Sequence, residues 1–295
     1  MYDFSKVLVA KSVDDAIKLL TENPNARIIA GGSDVLIKTR EGKFAGCELV
    51  SIQGLDELRG IKMEDDGTIV IGPLTSFSHI TKNEIIKKYI PTLGWAVDQV
   101  GGPQIRNIGT IGGNICNGAT SADSAATVFA LGVDLKIAGP NGTRMVNIED
   151  FYAGPGKVKL EQGEILVEIR VDKKNYENFG GHYTKYAMRN ALDIATLSCT
   201  VMARLNDAKD TLEEVRIAYG VAAPTPVRCH KAEDTLKGMK VCGETIDKIG
   251  ELVLEEIHPR DSWRASKVFR TQIAKEIAKR GLANAIRRAG GAVNE

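Results

Sequence analysis

GTIGGNICNGATSADSA, residues 109–125, strings together glycine, alanine, serine and threonine with hardly a large side chain among them. Such a run buries little apolar surface, and each glycine gives up more backbone freedom on folding than any other residue. A flexible linker, a tight turn and a backbone-lined pocket around a ligand would each account for it. A shorter stretch of the same kind, AGGSD, occupies residues 30–34. Each adjoins an apolar strand and places paired glycines where the backbone is predicted to turn. Bare N–H groups in such turns form anion-binding concavities, and missing side chains let a phosphate approach closely. Ser33, Thr110 and Asn114 add hydroxyl and amide groups suited to completing that coordination. One double-glycine turn is explained by loop geometry alone. Two of them, flanked by small hydroxylated residues as far as Ser124, point to a phosphorylated small molecule.

The familiar nucleotide and nucleophile motifs are missing. There is no GxGxxG and so no support for a Rossmann site. AGPGKVKL at 153–160 lacks the GxxxxGK(S/T) spacing, and no GxSxG elbow occurs.

Bulk properties narrow the class further. The 295 residues are 43% hydrophobic and 26% charged, as in ordinary globular chains, with a length suited to about two domains. A formal net charge of +1 gives no indication of nucleic-acid binding. No apolar run approaches the roughly 18 residues of a membrane span, and the N-terminus lacks the apolar core of a signal peptide. Cys47, Cys116, Cys199, Cys229 and Cys242 are scattered and form no CxxC, and the four histidines are dispersed. A cytoplasmic chain without its own metal site is expected.

Along the chain, SVDDAIKLLT (12–21) predicts a helix capped by Ser12, with Asp14 and Asp15 in its first turn. ARII and CELVSI read as strands, making the first 55 residues a small β-α-β unit. A strand at 68–71, a helix at 82–89 and another from Thr92 towards Val100 follow. Beyond the glycine-rich segment come a helix at Ala122–Leu131, a hairpin turning at PNG (140–142) and a strand at EILVEIRV. The polar residues 172–181 place a boundary near 175. Residues 183–204, 213–223 and a helix within 262–288 then form a second α+β domain, with Phe269, Ile273 and Ile277 as the helix's core stripe. The predicted division is 1–175, in subdomains 1–55 and 56–175, then 176–295.

Six segments carry a family resemblance. AGGSDVLIK, GPQIRNIGTIGGNICNGATSADSA, AGPGKV with EILVEI, KYAMRNALDIATLS, YGVAAPTPVRC and DSWRASKVFR occur in an order that resembles the FAD-binding (medium) subunit of molybdenum hydroxylases. The similarity is strongest to the flavin subunits of bacterial xanthine dehydrogenases. It implies an α+β fold of the vanillyl-alcohol oxidase/PCMH type, in which two subdomains clamp FAD. A C-terminal CO dehydrogenase flavoprotein-like domain, a small antiparallel sheet with a helical bundle, would follow.

By the same resemblance Arg27, Ile28, Ile29, Ala30, Gly31, Gly32, Ser33, Asp34 and Val35 form one lip of the cofactor site. Thr110, Ile111, Gly112, Gly113 and Asn114 form the other, and the phosphates explain the missing side chains. Asp123 would bind a sugar or ribityl hydroxyl, or cap the following helix. Leu166 would lie against the flavin ring, or be an ordinary buried strand residue. Lys185 would bring a positive charge to the ring, or be an exposed strand lysine. The resemblance further implies a molybdopterin-binding large subunit, a small subunit with 2Fe-2S clusters, and NAD+/NADH as the redox partner. Related hydroxylases of nicotinate, an aldehyde or carbon monoxide are the alternatives, as is a non-catalytic nucleotide-binding module.

Overall fold

The computed structural model describes residues 2–293. Its first unit is three-stranded and parallel. Strand β1 (Phe4–Val9) leads to α1 (Val13–Glu22), β2 (Arg27–Ile29), α2 (Val35–Arg40) and β3 (Cys47–Ser51), in the order β1-β3-β2. Helix α1 begins where predicted, the Ser12 hydroxyl accepting from the Asp15 N–H at 3.1 Å. Strand β1 was not foreseen in the N-terminal reading. It is an edge strand with Val7 and Val9 exposed, so its sequence shows little burial pattern.

The second unit is an antiparallel sheet with short helices laid on it. It contains β4 (Ile61–Met63), β5 (Ile69–Ile71), α3 (Phe77–Lys82), α4 (Glu84–Tyr89), α5 (Pro91–Asp98), α6 (Pro103–Ile108), α7 (Ile111–Cys116), α8 (Ala125–Ala130), β6 (Asp134–Gly139), β7 (Gly142–Asn147), α9 (Ile148–Phe151), β8 (Tyr152–Gly154), β9 (Lys157–Val158) and β10 (Ile165–Val171). The main sheet runs β4-β5-β10-β6-β7. The PNG turn is where the sequence places it: Gly139 pairs with Gly142, which takes φ +102. The helix expected at 82–89 is α4, and α3 occupies residues expected as a loop before it. Asn83 ends α3 and its side chain accepts from the N–H groups of Ile85 and Ile86 to start α4. Helix α8 (AATVFA) has all six residues buried.

The third unit follows with β11 (Phe179–Tyr186), β12 (Leu197–Leu205), β13 (Leu212–Gly220), β14 (Val227–Arg228), α10 (His230–Leu236), α11 (Gly243–Leu252) and α12 (Lys267–Arg288). Its four strands are antiparallel in sequence order. Side chains alternate across a strand, and here both faces are covered. Leu197, Cys199, Val201, Ala203 and Leu205 of β12 join the core beneath α10, α11 and α12. Met202 and Ala218 point the other way and join the core of the second unit. On that same face Thr127 of α8 bonds Thr200 at 2.9 Å, and Arg216 donates to the Ala130 carbonyl. Helix α8 is therefore held between two sheets.

Ser266 caps α12, and of the expected stripe Ile277 is buried and Ile273 packs against the core, but Phe269 departs from it. Phe269 is 44% exposed, whereas Ala274, Ile277, Ala278, Leu282 and Ile286 are buried. The small residues matter because Gly281 and the facing Gly180 allow close approach of helix to sheet: a Cβ on Gly180 would lie 2.7 Å from the Arg288 carbonyl carbon.

At the end of α12, Arg288 donates to the Gly181 carbonyl at 2.7 Å and to His182 Nδ1 at 3.0 Å, and stacks over Trp95 at 3.9 Å. Burial, with the guanidinium beside it, pushes the His182 imidazole down to about 4 from an ordinary 6.5. The unfolded chain therefore binds the extra proton between those two values, so stability falls as pH drops through that window and levels off below it. We expect His182→Asn, whose amide oxygen can still accept from Arg288, to lose less melting temperature than wild type between pH 6.5 and 4. Superimposable pH profiles for the two would refute this.

Among the described residues no helix is long and apolar enough to cross a membrane.

Candidate functional site

Strand β2 ends at Ile29, and the chain turns through Gly31–Ser33 into α2, with Gly32 at φ +76. Gly31 lies against the end of α6. A Cβ there would stand 2.7 Å from the Ile108 carbonyl carbon and 3.2 Å from the Gly109 nitrogen. The two glycine-rich stretches therefore touch, backbone on backbone.

The second stretch differs from its expected form. It follows α6 and not a strand, and is itself helical: Thr110 is the N-cap of α7, its hydroxyl accepting from the Gly113 N–H at 3.2 Å. Its glycines also have other reasons than phosphate space. A Cβ on Gly112 would come 2.7 Å from the Pro73 carbonyl oxygen, and one on Gly109 would come 2.8 Å from the Phe77 ring. Gly118, at φ +66, lies against the Lys157 N–H. Only Gly113 faces open space, with the Thr110 hydroxyl alone nearby. The lack of side chains is thus mostly a requirement of packing the walls, and at one position a requirement of the space between them.

That space is a cavity of about 790 Å³, within the range of small-molecule and cofactor sites. Thirteen of the expected residues line it: Arg27, Ile28 and Ala30 to Val35 on one wall, Thr110 and Gly112 to Asn114 on the other, and Leu166 from β10. Four do not. Ile29 is held in β2 opposite Ser51, and Ile111 is fully buried in the core.

Asp123 and Lys185 are the other two, and they form a buried ion pair. Lys185 Nζ donates to Asp123 at 2.8 Å and to the Gln99 carbonyl at 2.9 Å; Tyr183 donates to the same carboxylate at 2.8 Å. Both side chains are under a tenth exposed. Burial pushes the Asp123 carboxyl up, opposed by the ammonium and the two donated bonds. Asp123 caps no helix, since Ser124 stands at the N-cap of α8. Lys185 is not the exposed lysine of the alternative reading, nor a lone cation. The pair is next to the cavity, because Gln99 precedes Val100, which lines it.

Among the cavity residues that the sequence reading did not assign to the site are Lys38, Phe44 and Asn117. Lys38 donates to the Asn117 side chain across the cavity, and both Arg27 and Lys38 lie over the Phe44 ring, at 5.0 and 5.6 Å. Lys38 falls one turn beyond Asp34, a spacing that places both on one face of α2, but VLIKTR was not assigned to a helix. Cys116, expected as a packing residue, has its thiol pushed up to about 12 by burial, so it is protonated and unreactive.

Comparison with known proteins agrees with this geometry. Residues 2–173 match the model of the FAD binding domain in molybdopterin dehydrogenase, and residues 182–285 that of the CO dehydrogenase flavoprotein C-terminal domain. The chain is 43% identical to the xanthine dehydrogenase FAD-binding subunit of Escherichia coli O157:H7 over 99% of both chains. It is 32% identical to the carbon monoxide dehydrogenase medium chain of Hydrogenophaga pseudoflava over 92% of this chain and 93% of that one. A solved structure of carbon monoxide dehydrogenase from the same organism, lacking the Mo-pyranopterin moiety of its molybdenum cofactor, superposes with a TM-score of 0.92 at 30% identity, covering 98% of this chain and 99% of that one.

Proposed function

Because the chain belongs to the FAD-binding subunits of the molybdenum hydroxylases, we propose that it is the electron-transfer subunit of a heteromeric, cytoplasmic xanthine dehydrogenase-like enzyme with NAD+ as the acceptor. The observation that carries this is 43% identity over 99% of the chain to a xanthine dehydrogenase FAD-binding subunit, together with a cavity whose walls suit a dinucleotide. The fit is chemical as well as spatial. Gly113 leaves its side of the cavity open, and Arg27 and Lys38 enter it without a carboxylate within ion-pair distance among the described residues.

FAD, when bound, supplies two-electron exchange with a pyridine nucleotide and one-electron exchange with iron–sulfur clusters. The protein's own residues hold and orient it. The 30–35 and 110–114 backbones supply walls without side chains, with Ser33, Thr110 and Asn114 as polar groups on them. Leu166 and Val100 keep one portion apolar, and the Asp123–Lys185 pair fixes the charge behind it. No general acid or base is required of this chain. In this reading hydroxylation occurs on a molybdopterin-carrying large subunit, and 2Fe-2S clusters of a small subunit deliver the electrons.

The test separates the half-reactions. The purified chain supplied with FAD is expected to catalyse NADH-dependent reduction of an artificial dye and no xanthine-dependent reduction. Adding the partner subunits should restore the xanthine reaction. Xanthine turnover by the single chain would overturn the division of labour, and a flavin inert to NADH would point to a quinone or oxygen acceptor. A second reading, the same subunit in a hydroxylase of carbon monoxide, an aldehyde or nicotinate, is favoured by the 32% identity to a carbon monoxide dehydrogenase medium chain. Turnover of one of those substrates in place of xanthine would select it.

A further inference from the structure

We infer that Lys38, working with Arg27, is the counter-charge that makes this site selective for a diphosphate-bearing flavin, and that Asn117 is where its ammonium rests until that diphosphate arrives. The inference rests on the FAD-binding reading above and deepens it.

Two cations share a single aromatic ring here, Arg27 and Lys38 over Phe44, and both line the cavity. Like charges on one small support repel, an arrangement that ordinarily calls for an anion nearby. None is supplied by the described residues: neither cation is within ion-pair distance of a carboxylate, and the one hydrogen bond the Lys38 ammonium makes is to the neutral amide of Asn117. Glu41, one residue past the end of α2, is engaged by Lys43 at 2.9 Å. Asp34 shares the cavity but does not bridge to either cation. Lys38 is half-buried on α2 and Asn117 closes α7, so the bond joins the helix that follows one glycine-rich wall to the end of the helix that contains the other. An ammonium on a four-carbon stem can swing from such a neutral acceptor to a phosphate oxygen without moving the backbone. Two cations also match the two negative charges of a dinucleotide's diphosphate. Riboflavin has the same ring and no phosphate, so it would draw on neither.

The experiment is flavin titration of the assembled complex after its flavin has been removed, using FAD and riboflavin as probes. Lys38→Met is expected to weaken FAD by roughly 10- to 100-fold, the range for one lost charge-assisted hydrogen bond, while riboflavin affinity stays unchanged. Lys38→Arg should retain most of the FAD affinity. Asn117→Ala, which removes only the resting contact, should leave FAD affinity equal or higher. The salt dependence of FAD binding should also be shallower in Lys38→Met. Equal losses of FAD and riboflavin in Lys38→Met would overturn the inference, as a mere clip between walls would produce them; so would Asn117→Ala losing FAD as severely as Lys38→Met. A wild-type complex that takes up riboflavin and FAD equally would likewise sink it, whereas one that takes up neither would sink the FAD reading itself.

Discussion

Gly113→Val is expected to yield a folded chain that elutes from gel filtration without flavin, whereas Gly31→Val is expected to yield little folded chain at all. The difference follows from what each missing Cβ faces. At Gly113 it would meet only the Thr110 hydroxyl, and a valine there projects its methyl groups into the cavity. The cost to the fold is the disturbed N-cap of a six-residue helix, about 1 kcal/mol. The cost to a ligand is the volume itself. At Gly31 the obstruction is the backbone of Ile108 and Gly109, which cannot move aside without displacing α6. Overpacking against main chain exceeds the 1–3 kcal/mol, roughly, of a crowded core site. Gly32, at φ +76, adds a second kind of test: Gly32→Val meets backbone strain and should lose flavin as well. Flavin content and thermal melts of the three variants decide the matter. Full flavin loading of both Gly113→Val and Gly32→Val would end the two-wall description of the site.

Lys185→Met should cost stability before it affects anything else. It leaves the Asp123 carboxylate buried with the Tyr183 hydroxyl alone, and breaking a buried ion pair in this way typically costs about 3–5 kcal/mol. The carboxyl, already raised by burial, rises further without its ammonium. The folded state then binds a proton that the unfolded state does not, so the variant's deficit grows as pH rises and shrinks in acid. With FAD bound, and at a pH high enough to keep that carboxyl ionised, its uncompensated negative charge beside the cavity should also lower the flavin's reduction potential, by roughly 30 mV for each 1.4 kcal/mol of disfavoured reduced flavin. Asp123→Asn combined with Lys185→Met removes both charges and should recover much of the stability and the potential. Denaturant unfolding at several pH values and redox titration measure the two effects. A single variant as stable as wild type would show that the pair contributes nothing.

What the sequence revealed and what it hid divide along physical lines. Features made by neighbours in sequence were legible: Ser12 capping its helix, the turn between Gly139 and Gly142, the apolar run of EILVEIRV, and paired glycines at 31–32 and 112–113. These depend on local propensity and periodicity. Helix α7 was hidden because glycine ranks near the bottom of helix propensity, and IGGNIC becomes a helix only through Thr110 and the walls around it. The α12 stripe holds at Ile273 and Ile277 and fails at Phe269, where small residues such as Ala274 and Ala278, which carry little hydrophobic signal, take part of the contact. Lys38 with Asn117, and Asp123 with Lys185, are joined across 79 and 62 positions. No spacing rule reaches that far. The family resemblance reached Asp123 and Lys185 individually, but the bond between them, and the cation pair on Phe44, are properties of the folded chain.

Helix α8, clasped between the sheet of the glycine-rich unit and the sheet that follows residue 175, bears on how such chains can be recombined. Its six buried residues have partners on both sides of the division drawn from sequence. The Asp123–Lys185 bond straddles the same line. A chimera that joins the first 175 residues of one relative to the remainder of another inherits mismatched halves of one interior, although the seam falls in polar, turn-rich chain. Exchange at the seam visible in the sequence is therefore expected to cost stability unless both segments come from one relative.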